Sequence, residues 1–482
     1  MSEGHGRMTR AQGSFGGGKS VKALEEAASP RVDGEVLVRR RLPSVMRNEW
    51  LWSAVVLVVV TVATWLRVSP EDQDVVWAED GLIFLVEQLD LGTLGALFQP
   101  YAGYQHFLPR LFAAGIVEFV PLEYFNRAVF AACAVFAGLV AAGVFRLTRD
   151  ILRWLPARFF MALVTVVVPL LSLEIIGNLA DLHTYCLWLA AWIAVAKVRT
   201  KGEGVFWAAV MLIACLTEVQ ALLLIPVLLV RLFWDRSFQT LAVIVGAFIG
   251  VGAQLATWVG FPRPMPSDAV ITAWDVVVAW LVNAVMPIWN GSSSSNTALL
   301  AEHGVGVAFL ALLPFAVAAL TVLVFGRGPQ RFALIVLLFV SAGTFGGSLM
   351  LNPVELFQYG SYSGDEWLSV PVNLRYGAAA ALFVLATIPF AASVLVTRFS
   401  ANAPVVARSL AWAGMLATFV FVGLQGPEVG SAKTATDLWE PQVRSAREQC
   451  AITPNGAAEF EAAPGVRLFE LDCADVMARA GG

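Results

Sequence analysis

Long apolar segments recur through this chain, separated by short polar connections. Apolar residues make up 58% of its 482 residues and charged residues only 14%. A soluble domain of this length does not need so much apolar surface, so the sequence predicts an all-α polytopic membrane protein. The predicted spans are 50–67, 122–146, 159–173, 182–197, 204–217, 218–234, 238–259, 305–325, 331–351, 374–396 and 406–424.

Basic residues cluster in every second connection between these spans. The clusters lie at 146–158, 197–201, 231–236, 327–331 and 398–408. If the N-terminus is cytoplasmic, all of them lie inside, as the positive-inside rule requires. We therefore expect about eleven spans, with the N-terminus inside and the C-terminus outside. The expected outer loops are 68–121, 174–181, 260–304 and 352–373. Glu218 alone separates the fifth span from the sixth, so this boundary is the least defined.

Three regions follow from this topology. Residues 1–46 are polar and lack apolar periodicity, which predicts a disordered cytoplasmic tail rather than a signal peptide. Residues 47–424 form the membrane domain, and 425–482 form a small extracytoplasmic segment. This segment contains Cys450 and Cys473, for which the alternatives are a disulfide and two free thiols. An oxidising compartment and a small core favour the disulfide.

Nearly all of the unusual polar residues of the apolar region fall on the expected outer side. They are Glu79, Asp80, His106, Arg110, Glu174, Asn178, Asp181, His183, Glu218 and Arg375. Ionisable groups at a membrane are costly, so their gathering on one side predicts a functional site. The net charge of −4 gives no indication of a nucleic-acid partner.

The first outer loop contains two pairs of candidate residues, Glu79 with Asp80 and His106 with Arg110. Its leucines recur at roughly helical spacing, which predicts amphipathic helices on the membrane surface. Asp80 either caps the first of these helices or, with Glu79, supplies a general base at the lipid interface. His106 and Arg110 are four residues apart and share a helical face. Arg110 is either a snorkelling residue or the partner of an acid or a phosphate.

The second outer turn is short and crowded with polar residues. Asn178 fits a plain turn residue as well as a ligand. Glu174 and His183 border purely apolar sequence and are the stronger candidates. An acid with a histidine permits a divalent metal, but no spacing matches a metal signature, so no metal ligand is assigned. Glu218 is either neutral and hydrogen-bonded or paired with His183 or an arginine.

The remaining candidates lie later in the chain. Arg375 and Tyr376 open the tenth span, and an arginine at an outer end is suited to bidentate phosphate binding. Within the loop 260–304, the tryptophans of 269–289 predict a helix at headgroup depth. The Ser-rich run at 290–296 predicts a flexible lip of the site.

Four short motifs occur in one order on the outer side. They are WAEDG at 77–81, PYAGYQHFLPR at 100–110, EIIGNLADLH at 174–183 and RY at 375–376. In this set of motifs, and in the long first outer loop, the chain resembles a bacterial branch of the GT-C superfamily of membrane glycosyltransferases. The resemblance extends over most of 50–424.

The resemblance implies transfer of a sugar from a polyprenyl-phosphate donor to an extracytoplasmic glycan or lipid acceptor, with inversion. Asp80 or Glu79 would be the catalytic base, and which of the two acts is left open. Arg375, His183 and Arg110 would neutralise the departing lipid phosphate. The other implied substrate-binding residues are Tyr376, Glu174, Asn178, Glu218 and His106. The donor lipid tail would lie between the spans, and no cofactor is assigned.

Two other classes remain open. A transporter or flippase of lipid-linked sugars also needs charge in the membrane, but it is expected to carry polar groups near mid-membrane and internal repeats. Neither is evident in this sequence. A non-enzymatic assembly subunit is the third class. The absence of a Rossmann motif or P-loop argues against a nucleotide-sugar donor on the inner face and against ATP coupling.

Overall fold

The computed structural model describes residues 48–264 and 266–479. The predicted disordered tail at 1–46 lies outside the described residues. The described chain is mostly helical, in agreement with an all-α membrane protein. By length and composition, seven of its helices can cross a membrane, and four shorter apolar helices accompany them. All eleven predicted spans contain helix, but the count of eleven membrane crossings remains a prediction.

The helices and strands are as follows. The α-helices are α1 Glu49–Leu66, α2 Val86–Leu97, α3 Phe107–Phe119, α4 Phe125–Leu147, α5 Leu155–Val167, α6 Leu182–Val195, α7 Lys201–Thr217, α8 Leu224–Leu232, α9 Phe238–Gly260, α10 Ala273–Trp280, α11 Met286–Trp289, α12 Ser293–His303, α13 Gly306–Phe325, α14 Gly328–Leu351, α15 Tyr376–Leu385, α16 Thr387–Arg398, α17 Pro404–Val429, α18 Trp439–Ile452 and α19 Cys473–Ala478. The strands are β1 Ala457–Ala462 and β2 Arg467–Asp472. The 3-10 helices are Asp72–Asp74, Leu122–Tyr124, Thr148–Asp150, Pro169–Ser172, Val219–Leu223, Glu355–Phe357 and Gly364–Ser369, and the π-helical turns are Glu79–Leu85 and Leu281–Val285.

Helix α6 lies at the centre of the helical bundle. Its sequence is apolar on every face, and a helix of that kind is stable only when it is surrounded. Trp188 and Trp192 are fully buried within it, and the indole of Trp188 donates to the Thr165 hydroxyl at 3.1 Å. Helix α13 differs, because Leu310 and Val317 are more than half exposed. Such apolar exposure is suited to lipid rather than water.

Helices α7 and α9 pack closely because small residues line their contact. A Cβ atom at Gly250 would lie only 2.5 Å from the Cβ of Cys215 and 3.0 Å from the carbonyl oxygen of Leu212. No side chain fits there, so glycine lets the two backbones approach. This contact places the end of α9 beside the turn that follows α7.

Residues 68–121, the first outer loop of the predicted topology, form helices as predicted. The π-helical turn Glu79–Leu85 leads into α2, and α3 follows. Leu94 is 82% exposed, and Leu91 and Phe98 are about half exposed. These side chains give the loop an apolar outer surface of the kind that lies on a membrane.

One prediction for 260–304 is corrected, and the other stays a prediction. Residues 273–289 are helical, and only Trp274 of the three tryptophans is exposed, so the headgroup depth of this segment remains a prediction. The Ser-rich run is not a flexible lip. Ser292 caps α12 by accepting a hydrogen bond from the backbone N–H of Ser295, and Asn296 donates to the side chain of Asn373 at 3.1 Å. Local N-cap chemistry therefore makes this run helical.

The C-terminal segment folds as a small unit of α18, an antiparallel β1–β2 hairpin and α19. Its core stacks Trp439, Phe460 and Phe469. The predicted disulfide is present, since Cys450 and Cys473 are bonded with their Cα atoms 5.1 Å apart. The hairpin departs from a purely helical fold, because its alternating buried and exposed residues suit a two-faced strand pair.

This C-terminal unit docks on the first outer loop. Ala463 pairs with the loop as a parallel bridge: its N–H donates to the Val76 carbonyl at 2.9 Å, and its carbonyl accepts from the Ala78 N–H at 2.7 Å. The Trp439 indole donates to the Leu122 carbonyl at 2.6 Å. The backbone that leads into Glu79 is therefore held from the C-terminal side.

Candidate functional site

A cavity of about 410 Å³ lies where the first outer loop, the turn before α6, and the ends of α9 and α14 meet. Six of the predicted site residues line it: Glu79, His106, His183, Glu218, Arg375 and Tyr376. Asp181 lines it too. The residues come from five separate stretches of sequence, so the fold brings together most of the predicted site.

Two side chains, the half-buried Arg67 and the buried Asp80, hold the turn that carries Glu174 and Asp181. At one end, the Arg67 guanidinium donates to the carbonyls of Val166, Val168 and Pro169 and, at 2.6 Å, to the Ser172 hydroxyl. At the other end, the Asp80 carboxylate accepts from the backbone N–H groups of Leu179 at 2.9 Å and Ala180 at 3.0 Å. Backbone groups left unpaired by the turn are thereby satisfied.

Asp80 is therefore not placed as the catalytic base. It is fully buried, both oxygens accept backbone hydrogen bonds, and it is absent from the cavity wall. Burial raises the pKa of Asp80 to about 7, against the effect of its two backbone hydrogen bonds. Asp80 does not cap its own helix either, since the acceptor it offers serves the turn of another segment.

Glu79 is the acid that faces the cavity. Its side chain is half-buried and lines the wall beside Tyr101. Within the described part of the chain, its carboxylate has no hydrogen bond or ion pair. A carboxylate that is free of protein partners and open to a cavity can accept a proton from a bound hydroxyl. The adjacent pair thus divides into one cavity acid and one structural acid.

His183 is held between two carboxylates on the cavity wall. Its Nδ1 lies 2.6 Å from Glu218 Oε2, and its Nε2 lies 3.8 Å from Asp181 Oδ1. The other oxygen of Glu218 accepts from the backbone N–H of Gln220 at 2.6 Å, which starts the following 3-10 turn. The predicted pairing of Glu218 with His183 is confirmed, and it fixes the ring at the wall.

Arg375 is positioned by the backbone just before α15. Asn283 accepts from the Leu374 N–H at 3.0 Å, and Asn373 donates to the Gly291 carbonyl at 2.7 Å. The Arg375 guanidinium lies 3.1 Å from Glu174, yet its side chain is 44% exposed. It therefore presents part of its fork to the cavity.

Glu174 is a partner of Arg375 rather than a cavity residue. It is buried beneath the wall. Burial, reinforced by the nearby Asp181 carboxylate, raises the pKa of Glu174 to about 8, although Arg375 opposes this shift. Glu174 contacts only one edge of the Arg375 guanidinium, so the exposed part of that group stays open to an anion in the cavity.

Asn178 serves the turn and does not line the cavity. Its amide donates to the Glu174 carbonyl, four residues back. The preceding Gly177 has a φ of +87°, and a Cβ there would clash with the Phe130 ring. Both observations support the plain turn interpretation and correct the assignment of Asn178 to substrate binding.

His106 lines the cavity as a neutral ring. It packs against Tyr101 and Tyr104, with ring centroids 5.5 and 4.2 Å away. Neither of its nitrogens has a hydrogen-bond partner among the described residues. Burial lowers the pKa of His106 well below its usual range. It can therefore offer a hydrogen bond to a polar ligand, but it contributes no charge.

Arg110 does not reach the cavity, and its assignment to phosphate binding is corrected. Its guanidinium pairs with Glu87 at 2.6 Å and lies over the Phe84 ring. Of the two partners that the sequence leaves open, an acid and a phosphate, the fold supplies the acid. The pair crosses from α2 to α3 and holds these two helices together.

The structure adds Arg263 to the site. This residue follows α9, is exposed and lines the cavity on the side of Gly103. In the described ranges it has no ion pair or hydrogen bond. Arg263 and Arg375 thus give the cavity two guanidinium groups. A loop arginine beside two prolines carries no sequence pattern that marks it, so only the fold reveals it.

One wall of the cavity is apolar and continues to the outside of the helical bundle. Leu222, Leu255, Trp258 and Leu351 line the wall, and each is between 37% and 47% exposed. These residues come from the turn before α8 and from the ends of α9 and α14. The cavity therefore joins a charged region to an apolar surface.

Lys433 is a second residue near the site that no sequence pattern marks. It belongs to the C-terminal segment, is 3% exposed, and its ammonium group has no hydrogen-bond partner among the described residues. The N–H of the preceding Ala432 donates to the Leu173 carbonyl at 3.0 Å. The positive charge of Lys433 acts on Asp80 and lowers its pKa, against the larger effect of burial. The C-terminal segment thus contributes to the support of the turn.

Over residues 48–264 and 266–479, no group of three or more His, Cys, Asp or Glu side chains is placed to hold a metal ion. Comparisons of the chain with protein-family models, with curated proteins and with solved structures find no match.

Proposed function

We propose that this chain is a membrane glycosyltransferase of the GT-C type. It takes a sugar from a polyprenyl-phosphate donor and passes it to an extracytoplasmic glycan or lipid acceptor. The observation that carries the proposal is the composition of one cavity, where Glu79, two guanidinium groups and an apolar wall open to the lipid side lie together. A sugar phosphate on a lipid tail needs each of these features.

The proposed reaction has a single displacement. The acceptor hydroxyl oxygen attacks the anomeric carbon of the donor sugar, and its proton passes to the Glu79 carboxylate. The bond from the anomeric carbon to the phosphate oxygen breaks, and the polyprenyl phosphate leaves with the electron pair. Attack from the side opposite the leaving group inverts the anomeric centre.

Arg375 and Arg263 stabilise the leaving phosphate. Guanidinium groups match phosphate oxygens in bidentate fashion, and negative charge grows on the bridging oxygen as the bond breaks. His183, held by Glu218 and Asp181, is a hydrogen-bonding group for the sugar hydroxyls or the phosphate. The apolar wall at Leu255 and Trp258 receives the first isoprene units of the donor.

The topology belongs to the same proposal. Eleven spans place the N-terminus in the cytoplasm and the cavity and C-terminal segment outside the plasma membrane. The Cys450–Cys473 disulfide agrees with an oxidising outer compartment. A cavity at helix ends, rather than at mid-membrane, is suited to an acceptor that arrives from outside.

Product analysis in vesicles tests the proposal against the transporter alternative. Purified protein is reconstituted with a polyprenyl-phosphate sugar and a mixture of cell-envelope glycan acceptors. The proposal predicts free polyprenyl phosphate and a glycosylated acceptor in equal amounts. Movement of intact lipid-linked sugar across the bilayer, without cleavage, would establish the transporter instead.

A further inference from the structure

A second cavity lies at the opposite end of the helices that border the site. Its volume is about 1090 Å³. It is lined at the C-terminal end of α6 and the N-terminal ends of α9 and α14, whereas the site cavity lies at their other ends. Helix α9 has 23 residues, so the two cavities are separated by roughly 34 Å along its axis. Under the proposed topology, this cavity faces the cytoplasm.

Its wall contains more positive than negative charge. Lys197, Arg199 and Arg231 face two carboxylates, Asp150 and Asp235. Lys197 is exposed and has no ion pair or hydrogen bond in the part of the chain that the structure describes. One positive charge is therefore uncompensated. The N-terminal ends of two long helices, α9 and α14, add the positive ends of their dipoles.

The three cations differ in their freedom to bind a ligand. Arg231 is buried and donates to the carbonyl of Ala194 at 2.9 Å and to Thr240 at 2.9 Å, so it holds the floor of the cavity. Arg199 is 55% exposed and makes a two-pronged pair with Asp150, at 2.6 and 3.2 Å. An exposed pair of this kind contributes little, so Arg199 can exchange Asp150 for another anion.

The rim of the same cavity is aromatic. Trp234 is 60% exposed and packs edge-on against Phe332 at 5.0 Å, and both line the cavity. Phe233 and Phe238, beside it, are 77% and 51% exposed. Exposed aromatic residues at helix ends are typical of the membrane interface. A ligand that fits both the basic wall and the aromatic rim carries a phosphate and an apolar tail.

We propose that this cavity is a binding site for the headgroup of an anionic phospholipid of the inner leaflet. The phosphate lies between Lys197 and Arg199, and the acyl chains leave past Trp234 into the bilayer. Basic cavities between helices on the cytoplasmic side bind such headgroups in other membrane proteins. The proposal rests on the proposed topology but not on the reaction at the outer cavity.

Native mass spectrometry of the full chain in neutral detergent tests the site. Phosphatidylglycerol is titrated beside phosphatidylcholine, and retained lipid is counted. Lys197→Gln with Arg199→Gln is expected to weaken phosphatidylglycerol retention about tenfold or more. The matched control is Lys201→Gln with Arg236→Gln, which removes two exposed cations outside the cavity lining. This control is expected to retain the lipid like the wild type.

A third variant is expected to strengthen retention of the lipid rather than weaken it. Asp150→Asn frees Arg199 from its pair and is expected to tighten retention, by up to about fivefold. A misfolded protein cannot bind the lipid more tightly, so the Asp150→Asn variant distinguishes a binding role of Arg199 from a structural role. Equal retention in the cavity variant and the matched control would overturn the site.

Two further measurements, with phosphatidylcholine and with glycerol phosphate, identify the source of the phosphate. Phosphatidylcholine retained as strongly as phosphatidylglycerol would overturn selectivity for an anionic lipid. Glycerol phosphate, added at the same concentration, is expected to compete poorly because it lacks the tail. If it binds as tightly as the lipid, the ligand is a soluble phosphate and the lipid assignment fails.

Discussion

Asp80→Ala should destabilise the protein even though Asp80 does not touch the cavity. The substitution removes the acceptor for two backbone N–H groups, those of Leu179 at 2.9 Å and Ala180 at 3.0 Å. Leu179 is fully buried, so water cannot replace the lost oxygen at its N–H. The turn that carries Asp181 then loses its attachment to the first outer loop.

The magnitude follows from these contacts. A buried donor left without a partner costs about 1–3 kcal/mol, and the half-buried N–H of Ala180 costs less. Removing the carboxyl group also leaves a small void beside the buried Lys433. Together these effects lower the free energy of unfolding by about 3 kcal/mol, which is roughly a 150-fold change in the equilibrium constant.

The assay is the unfolding of purified full-length protein by a denaturing detergent, followed by tryptophan fluorescence at pH 6. Glu79→Ala is the matched control, because it removes the neighbouring carboxylate, which has no hydrogen bond among the described residues. It is expected to change the free energy of unfolding by less than about 1 kcal/mol, mainly through its position at a helix N-terminus. Equal losses in the two variants would refute the division of the acidic pair into one structural and one cavity acid.

Donor binding, pH dependence and the disulfide give three more expected outcomes. Arg375→Ala and Arg263→Ala should each weaken binding of a polyprenyl-phosphate sugar by about tenfold or more, measured by equilibrium binding, while binding of the unphosphorylated lipid stays unchanged. The pKa of Asp80 in the folded protein is raised to about 7, so the unfolded chain loses this proton at lower pH than the folded protein does. The free energy of unfolding should therefore fall as pH rises from about 4 to about 7. Asp80→Ala should lose this part of the pH dependence in unfolding curves. Replacing Cys450 and Cys473 by Ala should lower the unfolding free energy of the C-terminal segment by about 3 kcal/mol, seen as faster proteolysis.

The membrane class and most of the charged residues of the cavity wall can be predicted from sequence for a physical reason. Polar residues such as Glu218 and Arg375 are costly in apolar sequence, so their presence at the ends of apolar segments indicates a site from the sequence alone. The disulfide follows similarly, from compartment and segment size. Features that depend on the hydropathy pattern and on the cost of burying polar groups can therefore be recognised in the sequence.

The features that sequence does not reveal depend on contacts between distant segments. Arg110 pairs with Glu87 across two helices, and nothing in the spacing of the two residues reveals that pair. Glu79 and Asp80 are adjacent, and only the direction of each side chain separates their roles. Lys433 reaches the turn from the C-terminal segment, 353 positions after Asp80. The prediction for the Ser-rich run is wrong because its composition suggests a loop, whereas an N-cap and the Asn296–Asn373 bond make it helical.

The role of Glu79 as the base is tested by measuring turnover and donor binding of Glu79→Gln, with a polyprenyl-phosphate sugar as donor. The variant keeps the size and polarity of the side chain but cannot accept the proton. Asp90→Asn, an exposed acid of α2, is the matched control. Glu79→Gln is expected to lower turnover by at least about 10²-fold with donor affinity within about twofold of wild type, while the control is unchanged. Full turnover by Glu79→Gln would contradict the assignment of Glu79 as the base.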